Sequence, residues 1–340
     1  MNVELCCDSG QWDAYVEANP RASNYHRWRW KGLIEKTYGH ETFYFAAKEQ
    51  GKICGVLPLA GIKSLLWGRF LVSMPFFSYG GILADTPEAH SQLAAKSEEL
   101  ARRLNASRIE LRQPEPLHGE WRSSTAKVLM EVPLAETPEK FFNSLGSRLR
   151  NKIRSARKQG LNAEWGKGDL NKDFYRVFSC NMRNLGTPVY PRKWFENFMQ
   201  VAPETTHILV IRDGKEPIAA TFITTYRDRV ELPWIASTPE GRKKYSSVLL
   251  YWTALEWAMQ NGFRRVDLGR CTPGGGTHRF KAQWNCEEIP LPWCYWLKPG
   301  ESLPQMRPDN PRFRIAVETW KRLPLGVANL IGPHIVRAIP

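Results

Sequence analysis

One pattern in this chain is written twice. Around Phe43 the sequence reads FYFAAKEQGKICGVLPLAGIKS, and around His207 it reads HILVIRDGKEPIAATFITTYRD. Each is an apolar strand, a charged turn with glycine at its tip (Gly51, Gly214) and a second strand. Each continues to a helix and a closing strand, SQLAAKSEELARRLNASRIELRQ in the first copy and SVLLYWTALEWAMQNGFRRVDLGR in the second. The copies lie roughly 160 residues apart, so the chain folds as two similar α/β domains. Because the strands are joined by hairpins and not by regular βαβ units, each sheet is expected to be mixed and mostly antiparallel, an α+β arrangement flanked by helices.

A length of 340 residues gives each copy enough chain to bury its own core. No segment reads as a signal peptide, and no run approaches the ~20 apolar residues that span a bilayer. This predicts a cytoplasmic protein, at most peripheral to the inner membrane. The cysteines number seven, Cys6 and Cys7 are adjacent and no C-x-x-C occurs, which reads as reduced thiols. The histidines (His26, His40, His90, His118, His207, His278, His334) are scattered and build no metal site. A net charge of +14 favours polyanionic partners without choosing among nucleic acid, anionic lipid and phosphorylated substrates.

Along the chain, a strand at 3–7 and helices at 11–18 and 25–37 precede strands at 43–48, 53–62 and 70–77. A glycine turn, Tyr79-Gly80-Gly81, leads to a helix at 88–104 and a strand at 108–112. Residues 113–119 read as a loop and 127–132 as the last strand of the first domain, which ends at 136. The second domain, 137–297, opens with a helix start: Thr137 caps, Pro138 suits the first helical position and Glu139 suits the positive end of the dipole. Phe142, Leu145, Leu149, Ile153 and Ala156 then share one face, and the predicted helix runs to Gly160. Its other face carries Arg148, Arg150, Lys152, Arg154, Arg157 and Lys158 with no acid among them, either a track for a phosphate backbone or a solvated face. Further on, a strand at 161–165 and helices at 170–185 and 191–201 precede the second hairpin. A short helix at 278–284 and a strand at 289–297 finish the domain. The remainder, 298–340, is a basic, proline-containing appendage with a helix near 311–323, suited to packing or docking.

Two runs carry chemistry. Pro239-Glu-Gly-Arg242-Lys243-Lys244-Tyr245-Ser246-Ser247 stands immediately before a helix, where free backbone N–H groups and three cations make an anion site; otherwise it is a capped helix with a basic turn. The second run is Asp267-Leu-Gly-Arg270-Cys-Thr-Pro-Gly274-Gly275-Gly276-Thr-His-Arg279-Phe-Lys281-Ala-Gln-Trp284. A strand ends in an acid, crosses a glycine loop and enters a short helix. Asp267 is placed to orient or deprotonate an amine, and Arg270 and Lys281 to hold a carboxylate or phosphate. Its alternative is a structural ion pair beside a simple loop.

The order of hairpin, third strand, helix and return strand is that of GNAT acyltransferases, in which two neighbouring strands splay and a helix start receives an anionic donor. CoA-using members carry an Arg/Gln-x-x-Gly-x-Gly/Ala loop there. This chain has Arg242-x-x-Tyr245-Ser246-Ser247, keeping the cation without the glycines. The run DLGRCTPGGGTHRFKAQW resembles the signature of FemAB-like tandem-GNAT transferases. So do SRLRNKIRSARKQGL, VLPLAGIKS and FSYGG, with the order and spacing of the motifs similar from about Tyr25 to the end. NLGTPVYPRKWF and the basic tail further resemble the subgroup associated with exosortase/PEP-CTERM exopolysaccharide loci.

The resemblance implies a reaction in which an acceptor amine attacks the activated carbonyl of an acyl donor. The donor it implies is aminoacyl-tRNA, with acyl-CoA as the alternative and no tightly bound cofactor. The acceptor it implies is an amine-bearing cell-envelope or exopolysaccharide precursor, lipid-linked at the inner membrane surface. On this pattern Asp267, Arg270 and Lys281 are the catalytic candidates, and Arg242, Lys243, Lys244, Ser246 and Ser247 hold the donor. Tyr79, Gly80, Tyr190, Gly274, Gly275, Gly276 and Arg279 line the substrate. The base, protein or substrate, stays open.

Overall fold

The computed structural model describes residues 1–64, 68–113, 115–117, 119–303 and 311–339. His118 and the stretch 304–310 of the appendage lie outside the described residues.

The chain begins with β1 (Asn2–Leu5), α1 (Ser9–Ala18) and α2 (Arg29–Tyr38). The first repeat follows as β2 (Glu41–Glu49), β3 (Lys52–Ser64), β4 (Gly68–Ser73) and the short β5 (Leu83–Ala84). It closes with α3 (Pro87–Arg103), β6 (Arg108–Arg112) and β7 (Arg122–Ser124). The β2–β3 turn has positive φ at both Gln50 (50°) and Gly51 (78°), the twist that a tight hairpin needs and that glycine adopts freely. β2 buries both faces. Phe43, Phe45 and Ala47 pack toward Leu93 and Ala101 of α3, while Tyr44 and Ala46 pack toward Trp12 and Val16 of α1.

The middle of the chain forms β8 (Val128–Pro133), α4 (Pro138–Ser144), α5 (Ser147–Arg157) and β9 (Asn162–Gly166). α6 (Asn171–Leu185) and α7 (Arg192–Val201) precede the second repeat, β10 (Thr206–Asp213), β11 (Glu216–Tyr226) and β12 (Arg229–Ser237). Then come α8 (Pro239–Lys243), α9 (Ser246–Gln260), β13 (Arg265–Cys271) and α10 (Gly276–Ala282). The chain ends with β14 (Glu287–Pro290), β15 (Trp293–Leu297), α11 (Pro311–Arg322) and α12 (Leu325–Val336). The single helix expected from Pro138 to Gly160 is two. It breaks where Leu145 turns extended to bury its side chain, and Gly146 restarts the chain into α5. The apolar face read from the sequence holds across that break, with Leu149, Ile153 and Ala156 all in the core.

Two mixed sheets result, flanked by helices. The first has the order β1-β2-β3-β4-β6-β15-β7 with β5 on β3, and the second has the order β14-β8-β13-β12-β11-β10-β9. The chain divides into two compact units. One holds Met1–Lys127 with β15 and the residues from His334, the other Val128–Ile289 with α11 and most of α12. Two strands therefore sit elsewhere than expected. β8, read as the last strand of the first domain, pairs antiparallel with β13 in the second sheet. There the fully buried Glu131 finds Arg229 and Arg265. β15, read as the end of the second domain, pairs with β6 and β7 in the first sheet, where Cys294 and Trp296 complete the core around Leu111. Apolar alternation marks a strand but carries no record of its partner.

The second sheet buries one face against α5 and α9, around Leu209, Ile223, Leu232, Val266 and Leu268. Its other side meets an aromatic cluster from α6 and α7, where Phe174, Phe195 and Phe198 surround Phe222 and Trp234. α9 is apolar nearly all round because α4 and α5 cover the side that the sheet does not. α12 was not expected from the sequence: Pro333 lies inside its pattern, and no charged residue marks a polar face.

Candidate functional site

The second sheet contains a fork. β12 and β13 run parallel and are in register only at Arg229–Arg265, Val230–Val266 and Glu231–Asp267. Beyond that point β12 pairs only with β11, and β13 pairs with β8. Both strands leave regular pairing just past the shared residues. On β12 the register against β11 shifts across Leu232-Pro233, between the pairs Thr224–Glu231 and Phe222–Trp234. Proline has no N–H to give a ladder, which suits it to a bulge. On β13 the shift falls between Asp267 and Arg270, where Gly269 takes a φ of 81°. The facing edges of the two strands are thereby left without each other as partners.

At the base of the fork three carboxylates stand in register on neighbouring strands: Glu131, Asp267 and Glu231, each nearly or fully buried. Glu131 is neutralised by Arg265 (2.7 Å) and Arg229 (2.8 Å). Asp267 accepts the Gly269 N–H at 2.6 Å. Sequence reading passed over Glu231 and Pro233. The signal for both was a proline inside the strand pattern VELPWIAS, which argues for a bulge with an acid two residues before it.

At the far end of β12 the chain turns through α8 into α9. Gly241 is forced: a Cβ there would lie 2.6 Å from both the Ile218 carbonyl and Ser246 Oγ. Arg242 folds back, donating to the Ser237 carbonyl (2.7 Å) and to Asn181 Oδ1 (3.3 Å). Lys244 is ion-paired to Asp213. Ser247 Oγ donates to Ser237 Oγ at 2.8 Å, and Ser246 is fully buried. Lys243 is exposed, and so is Tyr245, which enters the helix with φ 57°. The first amides of α9 have no intrahelical acceptor by position and make this end electropositive.

Residues 144–282 match the family model described as an acetyltransferase (GNAT) domain. No curated protein matches the chain in sequence. Among solved structures, "Crystal structure of FemX" superposes with a TM-score of 0.70 at 14% identity, covering 93% of this chain and 100% of that one. A tandem GNAT protein from the clavulanic acid biosynthesis pathway gives 0.56 at 13% identity, over 89% of this chain and 100% of that one. The C-terminal domain of a putative lysylphosphatidylglycerol synthetase from Agrobacterium fabrum gives 0.58 at 14% identity, over 85% and 92%. At these identities the likeness is one of fold: two tandem GNAT-like units.

Within the matched stretch, Lys281 reaches the fork from α10. That helix is fixed by Phe280 and Trp284 packing on Tyr251, the latter stacked at 5.7 Å. Lys281 is 5% exposed, and its Nζ donates to the carbonyls of Gly269 (2.9 Å) and Arg270 (3.3 Å). Burial lowers its pKa, opposed by Cys271, Asp267 and Cys286 nearby. Asp267 and Lys281 thus grip Gly269 at its amide and its carbonyl, and fix the bulge that presents the half-buried Arg270. The glycine loop follows. Gly275 donates to the Thr272 carbonyl, Gly274 has φ 74°, and Arg279 folds over the loop to the Gly274 carbonyl at 2.6 Å. Gly276 starts α10.

The structure therefore brings Asp267, Arg270 and Lys281 together, continuous with Gly274–Gly276 and Arg279. Tyr190 lies among aromatic rings of the same unit, 6.1 Å from Trp194 and 6.0 Å from Trp234, with its carbonyl accepting from Tyr175 at 3.0 Å. Tyr79 and Gly80 belong to the first unit and are packed. Tyr79 lies 5.2 Å from Tyr25, and a Cβ on Gly80 would fall 2.6 Å from Met74 Cγ. On α5, Arg157 binds Glu256 at 3.1 Å and Arg154 covers Phe142, while Arg148 and Lys158 are exposed. Among the described residues no group of His, Cys, Asp and Glu is arranged to hold a metal ion.

Proposed function

We propose that the second unit is an acyltransferase that forms an amide at the β12–β13 fork. The observation that carries this is the parting of two parallel strands directly beyond a pair of buried carboxylates, Glu231 and Asp267. In this reading an acyl donor lies along the edge of β12 that β13 leaves, and main-chain N–H groups of that edge serve as the donors that a tetrahedral oxyanion needs. The acceptor amine attacks the acyl carbonyl and its proton passes to Glu231, the carboxylate whose strand lines the gap. The tetrahedral intermediate then collapses by breaking the donor's ester C–O bond, and the departing oxygen takes that proton and leaves as a hydroxyl. Asp267 and Lys281 act by holding the Gly269–Arg270 bulge in place, and Arg270 offers a cation at its mouth.

Under this reading the donor is aminoacyl-tRNA. Three features support it: the helix entry has Tyr245-Ser246-Ser247 in place of glycines, Arg242 and Lys244 are engaged with protein groups, and the chain carries +14 charge. The exposed cations of α5 add a surface for a phosphate backbone. The acceptor is an amine-bearing cell-envelope or exopolysaccharide precursor at the cytoplasmic side of the inner membrane, in keeping with the resemblance to the exosortase-associated FemAB subgroup. Acyl-CoA is the second reading, favoured by the matched acetyltransferase domain and the electropositive start of α9.

The deciding experiment titrates the protein with charged tRNA and with acetyl-CoA across a salt series. Binding of tRNA at about micromolar affinity, falling steeply with salt, and no saturable CoA binding is the expected result. Saturable CoA binding with feeble tRNA binding overturns the donor assignment. Glu231→Gln is expected to cost about 100-fold in transfer with donor affinity retained; unchanged turnover removes Glu231 as the base.

A further inference from the structure

α12 faces the wrong way for a helix exposed to water. Its packed side carries small residues: Ala328 and Gly332 are buried, and a Cβ on Gly332 would meet the Val189 backbone nitrogen at 2.9 Å. The bulky side chains point outward. Leu330 is 72% exposed, and Val327 and Ile331 lie in the same strip. On the neighbouring α11, Ile315 is 77% exposed. This is no loose tail. Arg183 of α6 donates to the carbonyls of Lys321 (3.3 Å) and Leu323 (3.4 Å), and Asn329 donates to Ser179 Oγ (3.4 Å). The same contacts that fix the two helices on α6 hold their apolar side chains in solvent, which a soluble surface does not require.

The surrounding charge identifies the occupant. The stretch 323–336 contains no Asp, Glu, Lys or Arg, and it is bracketed in sequence by Lys321-Arg322 and Arg337. Arg314 and Arg322 are exposed, and the one acid of the two helices, Glu318, is bound to Lys321 at 2.7 Å. An exposed apolar strip on a stretch flanked in sequence by exposed cations is complementary to an anionic bilayer, where branched side chains enter below the headgroups and arginines meet the phosphates. A second copy of this chain would bring the same cations against themselves. No helix among the described residues is long and apolar enough to cross a membrane, so the contact is interfacial.

We propose that the exposed apolar side chains of α11 and α12 dock the protein onto anionic membrane surfaces. The proposal stands apart from the acyl-transfer reading, because none of these residues lies at the fork. The test is flotation of the full chain with vesicles of phosphatidylcholine alone or mixed with phosphatidylglycerol, at low and raised salt. The protein is expected to float with the anionic vesicles and much less with the neutral ones. Leu330→Asp combined with Ile315→Asp is expected to weaken binding by about tenfold or more. Both side chains are exposed, so the melting temperature and tRNA binding should stay unchanged. Arg314→Gln with Arg322→Gln is expected to weaken binding and flatten its salt dependence. No flotation of the wild-type chain, or equal flotation of the aspartate pair, overturns the proposal. So does a dimer in light scattering that the aspartate pair dissolves while vesicles go unbound.

Discussion

His26 shows how one buried side chain sets a pH limit. The Ser23 amide can only donate, and it donates to Nδ1 at 3.0 Å, so the ring proton sits on Nε2, which faces the Gly81 carbonyl at 3.2 Å. Protonating Nδ1 would set two donors against each other. Burial drives the His26 pKa down to about 4, from about 6.5 in the unfolded chain. A depressed pKa gives stability that is complete above pH 6.5 and lost as pH falls toward 4, on the order of 3 kcal/mol in all. Urea unfolding at pH 7 and pH 5 should show the loss, and His26→Gln should flatten it. Equal slopes in the two proteins would assign the titration elsewhere, His40 first, since its burial acts in the same direction. At the fork, Lys281→Met would leave the Gly269 and Arg270 carbonyls without their donor, at a cost of about 1–3 kcal/mol. If Lys281 positions the bulge, kcat falls while the chain stays folded; full turnover in that variant would make its contacts purely structural.

At the level of elements, the entry to α9 holds a strained residue. Tyr245 takes φ 57° with its ring exposed, a backbone state costing a side-chain-bearing residue about 1 kcal/mol. Tyr245 is 38% exposed, so packing compensates this state only in part, and the proposed donor site gives the tyrosine a second role to test. Tyr245→Gly is expected to raise the melting temperature by roughly 2–4 °C while weakening donor binding. A lower melting temperature would show that the ring stabilises the fold. The same element explains why the site was only partly legible. Arg242, Lys243 and Lys244 read as three cations at a helix start, but folding turns Arg242 onto Ser237 and Lys244 onto Asp213. A count of charges cannot show which of them folding ties to protein groups.

At the scale of the molecule, the first sheet depends on a strand that comes after the second repeat. β15 stands between β6 and β7 and buries Cys294, Tyr295 and Trp296. A chain ending at Ile289 would keep the fork and lose that strand. It is expected to retain one cooperative thermal transition and to lose the ordered aromatic signal of the first unit, as measured by near-ultraviolet circular dichroism. Two intact transitions would show that β6 closes the sheet unaided.

The duplication, the two hairpins, the helix opening at Pro138 and the apolar face of Leu149, Ile153 and Ala156 were all determined by the sequence alone. Each rests on local periodicity and local turn chemistry, which neighbouring residues carry in full. Tertiary structure decided that β8 belongs with β13 and β15 with β6, that Glu231 stands beside Asp267, and that Lys281 closes on the Gly269 bulge. It decided also that α12 shows its larger side chains to solvent. These are pairings between residues far apart in the chain, and strand register and packing, rather than pattern, choose the partner.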